Sequence, residues 1–247
     1  MIEGLQTAET SMRPKMARMD IIANNLANVN TTGFKRDRLF IRMLNDAAAG
    51  ADAAGDLDGL QVTQATDFTE GSLRQTGNPF DAAIQGRGFF VVNTPDGERY
   101  TRAGGFQLSP GGMLVTGAGA QVEGTNGPIR FPDMSRVQQA TVTITESGEV
   151  MIDKETIGKL RIVDFADTSV LAKETASLFT APPGTPLLDV PEGGATVRQG
   201  CLEESNVDPV HEMIAMTELQ RSFDTDQKVL QALDDSVNQS LQVGKVS

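Results

Sequence analysis

Apolar residues recur every seven positions at both ends of the chain. Near the start, Leu5, Met12, Met19 and Leu26 form one stripe, which Ile2, Ala8, Met16, Ile22 and Val29 widen. A seven-residue repeat marks a helix with a narrow, coiled-coil-like seam. The spacing predicts a helix over residues 2–29, about 42 Å long. Pro14 interrupts it and should bend it or set its start, because proline inside a helix costs roughly 3 kcal/mol. Thr31-Thr32-Gly33 supplies a stop, with Gly33 near C′. Near the end, Met216, Phe223, Leu230 and Val237 repeat the seven-residue spacing, and Leu219, Leu233 and Leu241 lie beside them. Asp208-Pro209 reads as an N-cap followed by proline at the first helical position. Glu212 falls in the first turn, where negative charge is favoured. This helix should run from Pro209 to about Val243, roughly 52 Å. Helix propensity alone leaves such helices marginal in water, so the two are expected to pair as a coiled coil or to pack on neighbouring copies.

The pattern between them changes period. From about Gly71 to Gly200, Gly and Pro punctuate short β-rich runs: Phe89–Val92, Glu98–Thr101, Phe106–Leu108, Met113–Val115, Thr141–Thr145, Glu149–Ile152 and Leu160–Val163. Short strands with turn signals every 8–12 residues indicate a sandwich or barrel-like β domain. Asp46–Gly59 is rich in Ala, Gly and Asp and reads as a flexible connector. Pro182–Pro186 reads as a polyproline-like loop.

Composition removes several classes of chemistry. The 247 residues include one Cys, one His and no Trp. An intramolecular disulfide and the common four-ligand zinc sites are therefore excluded. A net charge of −12 speaks against a general nucleic-acid binder. Residues 1–45 carry net +3 and residues 201–247 net −6, a weak, salt-screened attraction between the ends. No apolar run reaches the length of a membrane span, and residues 1–20 hold no uninterrupted leader core. On that count the chain stays in the cytoplasm unless another export route reads it. His211 and Cys201 read as a surface histidine and an inert thiol. Asp56-Leu57-Asp58-Gly59 lacks the remaining ligand spacing of a calcium loop. Gly86-Arg87-Gly88 and Gly117-Ala118-Gly119 read as hairpin turns, since no helix follows either. No cofactor, metal or small-molecule substrate is expected.

Three blocks carry a resemblance. Ala23-Asn24-Asn25-Leu26-Ala27-Asn28-Val29-Asn30-Thr31-Thr32-Gly33-Phe34-Lys35 resembles the N-terminal signature of bacterial flagellar basal-body rod and hook proteins. Helices rarely hold so many asparagines, because Asn competes for its own backbone. Gly86-Arg87-Gly88-Phe89-Phe90-Val91-Val92, with Tyr100-Thr101-Arg102-Ala103-Gly104 downstream, resembles the central signature of that family. Leu202-Glu203-Glu204-Ser205-Asn206-Val207-Asp208-Pro209-Val210 and Gln220-Arg221-Ser222-Phe223 resemble its C-terminal signature. Pro14 and the acidic pair Glu203-Glu204 depart from the family pattern.

The resemblance implies a non-enzymatic subunit of the axial rod, exported by the flagellar type III apparatus without a cleaved leader. It implies copies of itself and other rod subunits as partners, with no nucleic acid and no membrane insertion. The chain should then divide into a helical arm (1–33), an extended linker (34–70), a β domain of hook–basal-body type (71–200) and a second helical arm (201–247). The assembly seams would be Leu5, Met12, Met19, Ile22, Leu26 and Val29 on one arm. On the other they would be Met216, Leu219, Phe223, Leu230, Leu233, Val237 and Leu241. Phe40–Leu44 matches the family's export pattern, with ordinary packing aromatics as the alternative. The length is nearer the shorter, proximal-rod type than the distal-rod type. The rival class is a free-standing binding module with a helical stalk.

Overall fold

The computed structural model describes residues 2–43, 60–132, 141–190 and 194–243. The chain is mainly β, with one long helix at each end. It forms two compact units, one from Met1–Ala27, Asp37–Ala65 and Asp208–Ser247, the other from Asn28–Arg36 and Thr66–Val207.

The first unit holds both helices. Helix α1 spans Ile2–Ala27 and runs through Pro14. It ends six residues before Gly33, so Gly33 is not its C′ residue; that glycine belongs to a different contact, described below. Helix α2 spans Pro209–Val243, the extent read from the sequence. Its cap is the expected one: Asp208 Oδ1 accepts from the backbone N–H groups of Val210 (2.9 Å) and His211 (3.2 Å). The two helices lie against each other. Ile22 and Leu219 are buried, while Met12, Met19, Leu26, Met216, Phe223 and Leu230 are half-buried. Lys15 Nζ on α1 donates to Ser222 Oγ (2.8 Å) and pairs with Asp226 Oδ2 (2.5 Å) on α2. The stretch read as an extended linker carries two strands, Asp37–Met43 and Leu60–Thr66, which pair with each other.

The second unit is built around the strand Phe89–Thr94. It pairs antiparallel with Gly97–Thr101, with Gln121–Gly124 and, near its start, with Ile162–Phe165. These strands belong to a ten-stranded sheet. Side chains alternate along a strand, so Phe89 and Val91 face one side and Phe90 and Val92 the other. Each pair enters a different core. Phe90 and Val92 pack with Phe106, Val122, Ile129 and Phe131. Val142, Ile144, Val150 and Ile152 from the three-stranded sheet 142–159 join that cluster. Phe89 and Val91 pack with Tyr100, Val163, Phe165 and Phe179. A strand buried on both faces reads as an unbroken apolar run, which is why Phe-Phe-Val-Val lacks alternation.

Two ribbons complete the unit. Ala82–Gly86 pairs with Ala195–Gln199, and Leu73–Gln75 pairs with Cys201–Glu203. Gly86 ends one strand and Arg87-Gly88 connect it to the next, and Gly117-Ala118-Gly119 lie between successive strands, as expected of turns. Pro182–Pro186 differs from the reading as a polyproline-like loop: Thr185 N–H bonds Pro182 O at 3.1 Å, closing a turn with Gly184 at positive φ. The connector Asp46–Gly59 and its Asp56–Gly59 motif lie outside the described residues.

Candidate functional site

Parts of the three signature blocks meet in the second unit: residues 33–35, Arg102 with Ala103, and Glu203 with Asn206. Segment 33–36 enters it beside the backbone of Arg102 and Ala103. Gly33 has φ +68, and a Cβ there would sit 2.3 Å from Ala103 N. Only glycine combines that backbone geometry with that approach. Gly33 N–H donates to Glu203 O (2.8 Å). Two residues on, Lys35 is fully buried. Its Nζ donates to Glu203 Oε1 (2.5 Å) and to Thr69 O (2.6 Å).

Glu203 serves a second cation from the central block. Arg102 NH1 lies 3.4 Å from Glu203 Oε2. The same guanidinium donates to Ile84 O (3.3 Å) and Gly86 O (2.8 Å), and its Cζ lies 5.3 Å from the Phe89 ring centroid. Gly71 N–H adds a third donor to the carboxylate (3.0 Å). One buried carboxylate thus faces two buried cations. Burial pulls the Lys35 ammonium below its ordinary range; Glu203 opposes this by charge and hydrogen bond, and Arg102 adds to the lowering.

The flanks of the segment are held as firmly. Arg36 N–H donates to Asn206 Oδ1 (2.7 Å), and Asn206 Nδ2 donates to Asp67 O (2.8 Å) and Thr69 O (3.1 Å). Lys173 Nζ donates to Lys35 O (2.7 Å) and stands 3.7 Å from the Phe34 ring centroid. Asn28 Oδ1 accepts from Thr31 Oγ1 (3.2 Å) in the preceding turn.

A second polar tie lies within the first unit. Asn25 is buried. Its Oδ1 accepts from Asp37 N–H (3.0 Å) and its Nδ2 donates to Asp37 O (3.0 Å), completing both backbone bonds of that residue. Nδ2 also lies 3.4 Å from Glu212 Oε1 in the first turn of α2. One asparagine therefore joins α1, the following strand and α2.

The remaining sequence-read positions fall as follows. Gly88, Phe89, Phe90, Tyr100 and Val207 are buried. Val29, Thr32, Gly86, Ser205 and Asn206 are half-buried, and Asn24 is exposed. Phe40 is 54% exposed, and Leu44 lies outside the described residues. The side chains of Leu5, Leu233, Val237 and Leu241 also lie outside the described residues. Cys201 is half-buried in a strand, and the exposed His211 holds Asp208 Oδ2 at 2.6 Å. That bond keeps the Asp208 carboxyl below its usual range. Sequence reasoning passed over Asp67, Thr69 and Lys173, whose spacing carries no periodic signal. It placed Glu203 in the C-terminal signature block and marked it as a departure from the family pattern, but gave it no partner. Among the described residues, no group of three or more His, Cys, Asp or Glu could hold a metal, and no helix is long and apolar enough to cross a membrane.

This is a β-rich chain with both terminal helices, whose signature residues tie distant segments together. Comparison with known proteins gives that class a family. The model for flagella basal body rod proteins matches residues 5–35. The D1 domain of flagellar hook proteins FlgE/F/G matches 83–152, and the C-terminal model of the flagellar basal body rod FlgEFG proteins matches 198–243. The chain is 37% identical to the flagellar basal-body rod protein FlgF of Caulobacter vibrioides over 219 residues, covering 86% of this chain and 85% of the relative. It is 34% identical to FlgG of Bacillus subtilis over 258 residues, covering 95% and 96%. It is 34% identical to FlgG of Borreliella burgdorferi, again covering 95% and 96%. The chain belongs to the flagellar basal-body rod protein family. Its role is that of a structural subunit of the flagellar basal-body rod.

Proposed function

We propose that the chain polymerises through its terminal helices into the axial shaft that carries torque across the periplasm, and that it has no catalytic activity. The observation that carries this reading is the outer face of α2. Glu212 and Leu219 on that helix are buried, yet Val210 (63%), Met213 (53%) and Ile214 (53%) are exposed. Nine residues at 100° each place Val210 opposite Leu219. A helix apolar on two opposite faces calls for a partner on both. α1 lies along one; copies of this chain and neighbouring rod subunits are the partners assigned to the other. In such an assembly α1 and α2 pair as a coiled coil, with the seams extending to Leu5 on α1 and to Leu233, Val237 and Leu241 on α2. Contacts that repeat head-to-tail without closing build a helical filament.

Export is assigned to the flagellar type III apparatus, with Phe40–Leu44 as its recognition element. The exposure of Phe40 supports that assignment. Replacing Phe40 with Ala should lower secretion of the chain while leaving its cellular amount unchanged; equal secretion would remove the assignment. The proximal part of the rod is the proposed position, supported by the similarity to FlgF. Cross-linking in isolated basal bodies, followed by identification of the neighbouring subunits, tests proximal against distal placement.

A further inference from the structure

Segment 33–36 is held in the way a receptor holds a peptide. Its backbone is engaged at Gly33 N–H by Glu203 O, at Lys35 O by Lys173 Nζ, at Arg36 N–H by Asn206 Oδ1 and at Arg36 O by Asp67 N–H. Its side chains have separate recognition: the Gly33 position excludes a Cβ, Phe34 lies beneath the Lys173 ammonium, and Lys35 reaches a buried carboxylate and a carbonyl. Phe34 is fully buried, yet it belongs to neither hydrophobic cluster of the unit. The segment is thus fastened by polar contacts, together with the burial of Phe34, to a body that has its own cores. When it leaves, Glu203 keeps Arg102 as a counter-charge, so the vacated groove holds no orphaned carboxylate.

We propose that the second unit carries a peptide-binding groove selective for a glycine–aromatic–lysine segment, filled by Gly33–Arg36 of its own chain and open to the same segment of a second copy. Backbone bonds supply general affinity, and the buried Lys35–Glu203 contact supplies selectivity. Neither depends on the helices, so the groove is independent of the assembly seams.

The experiment uses the full chain carrying Lys35→Ala, in which the resident segment has lost its deepest contact. Hydrogen exchange should rise in residues 31–36 and 69–72 and stay unchanged in strand 89–94. A labelled peptide of residues 31–38 should then bind saturably and return protection to 69–72. The same peptide with alanine in place of lysine should bind more than about tenfold more weakly. Adding Glu203→Gln to the chain should abolish the preference between the two peptides. The full chain with Lys173→Ala, which leaves the buried ion pair in place, should show the same local opening to a smaller extent. Loss of protection throughout 89–94 in both variants would overturn the proposal, because the segment would then be part of the core. Absence of saturable binding, or equal binding of the two peptides to the Lys35→Ala chain, would overturn it as well.

Discussion

Lys35 and Glu203 lie 168 positions apart in sequence and meet with Nζ 2.5 Å from Oε1, both side chains fully buried. Because Arg102 shares the carboxylate, the two ends of the pair are not equivalent. Glu203→Gln strands two cations, whereas Lys35→Met leaves Glu203 with a partner. Breaking a buried pair by removing one member costs about 3–5 kcal/mol. Glu203→Gln should fall in that range and Lys35→Met below it, as read from urea midpoints at unchanged slope. Equal costs would mean that Arg102 does not share the charge.

The pH dependence of stability follows from the same junction. Folding lowers the Lys35 pKa from its ordinary 10.5, mainly by burial. Between the lowered value and 10.5 the unfolded chain binds more protons than the folded one, so this group makes stability rise with pH there. Below the lowered value its unfavourable contribution is constant. Subtracting the urea-derived stability of Lys35→Met from that of the parent across this window should leave a positive slope. A flat or negative difference would contradict the assignment. The capping carboxylate behaves in the opposite sense. Asp208 has a lowered pKa through its bond to His211, so its contribution is present above the ordinary 3.8 and is lost as pH falls through the folded value.

Asn25 offers a test in the first unit. Replacing it with Ala removes two bonds to the buried backbone of Asp37, at a cost of about 0.5–1.5 kcal/mol each. Asn25→Asp keeps one acceptor but brings a negative charge beside Glu212, and should be the worse of the two. Thermal unfolding followed by circular dichroism at 222 nm, a wavelength chosen for helix, gives the order. An Asn25→Ala variant as stable as the parent would remove the tie from the account.

Gly33→Ala should destabilise the second unit through two independent causes. The backbone stands at φ +68, and the new methyl would meet Ala103 N at 2.3 Å. Strain of this kind costs about 1–3 kcal/mol before the clash is relieved. Gly117, which has open space around it, is the control: alanine there should be nearly neutral.

Much of this architecture was legible in the sequence because it rests on local periodicity. The seven-residue repeat and the Asp208-Pro209 start located α2 at Pro209–Val243, and turn residues located strands such as Glu149–Ile152. α1 was misjudged at its end. Gly33 resembled a helix stop, but its positive φ serves a contact with Ala103, which no local pattern encodes. The junction was visible only in pieces. Lys35, Arg102 and Glu203 each belonged to a recognised block, and Glu203 also stood out there as a departure from the family pattern. What makes it the counter-ion of both is a meeting across 168 and 101 positions, and one-dimensional spacing does not carry that. Lys173 and Thr69 were missed for the same reason: one contributes through an ammonium over a ring, the other through a backbone carbonyl.

Assembly through the outer face of α2 is the central claim, and Ile214→Asp probes it most directly. The side chain is exposed, so the substitution should leave folding of the isolated chain unchanged. Basal bodies purified from cells carrying only this variant should lack the subunit, and the cells should not swim. Normal incorporation together with normal swimming would contradict the account.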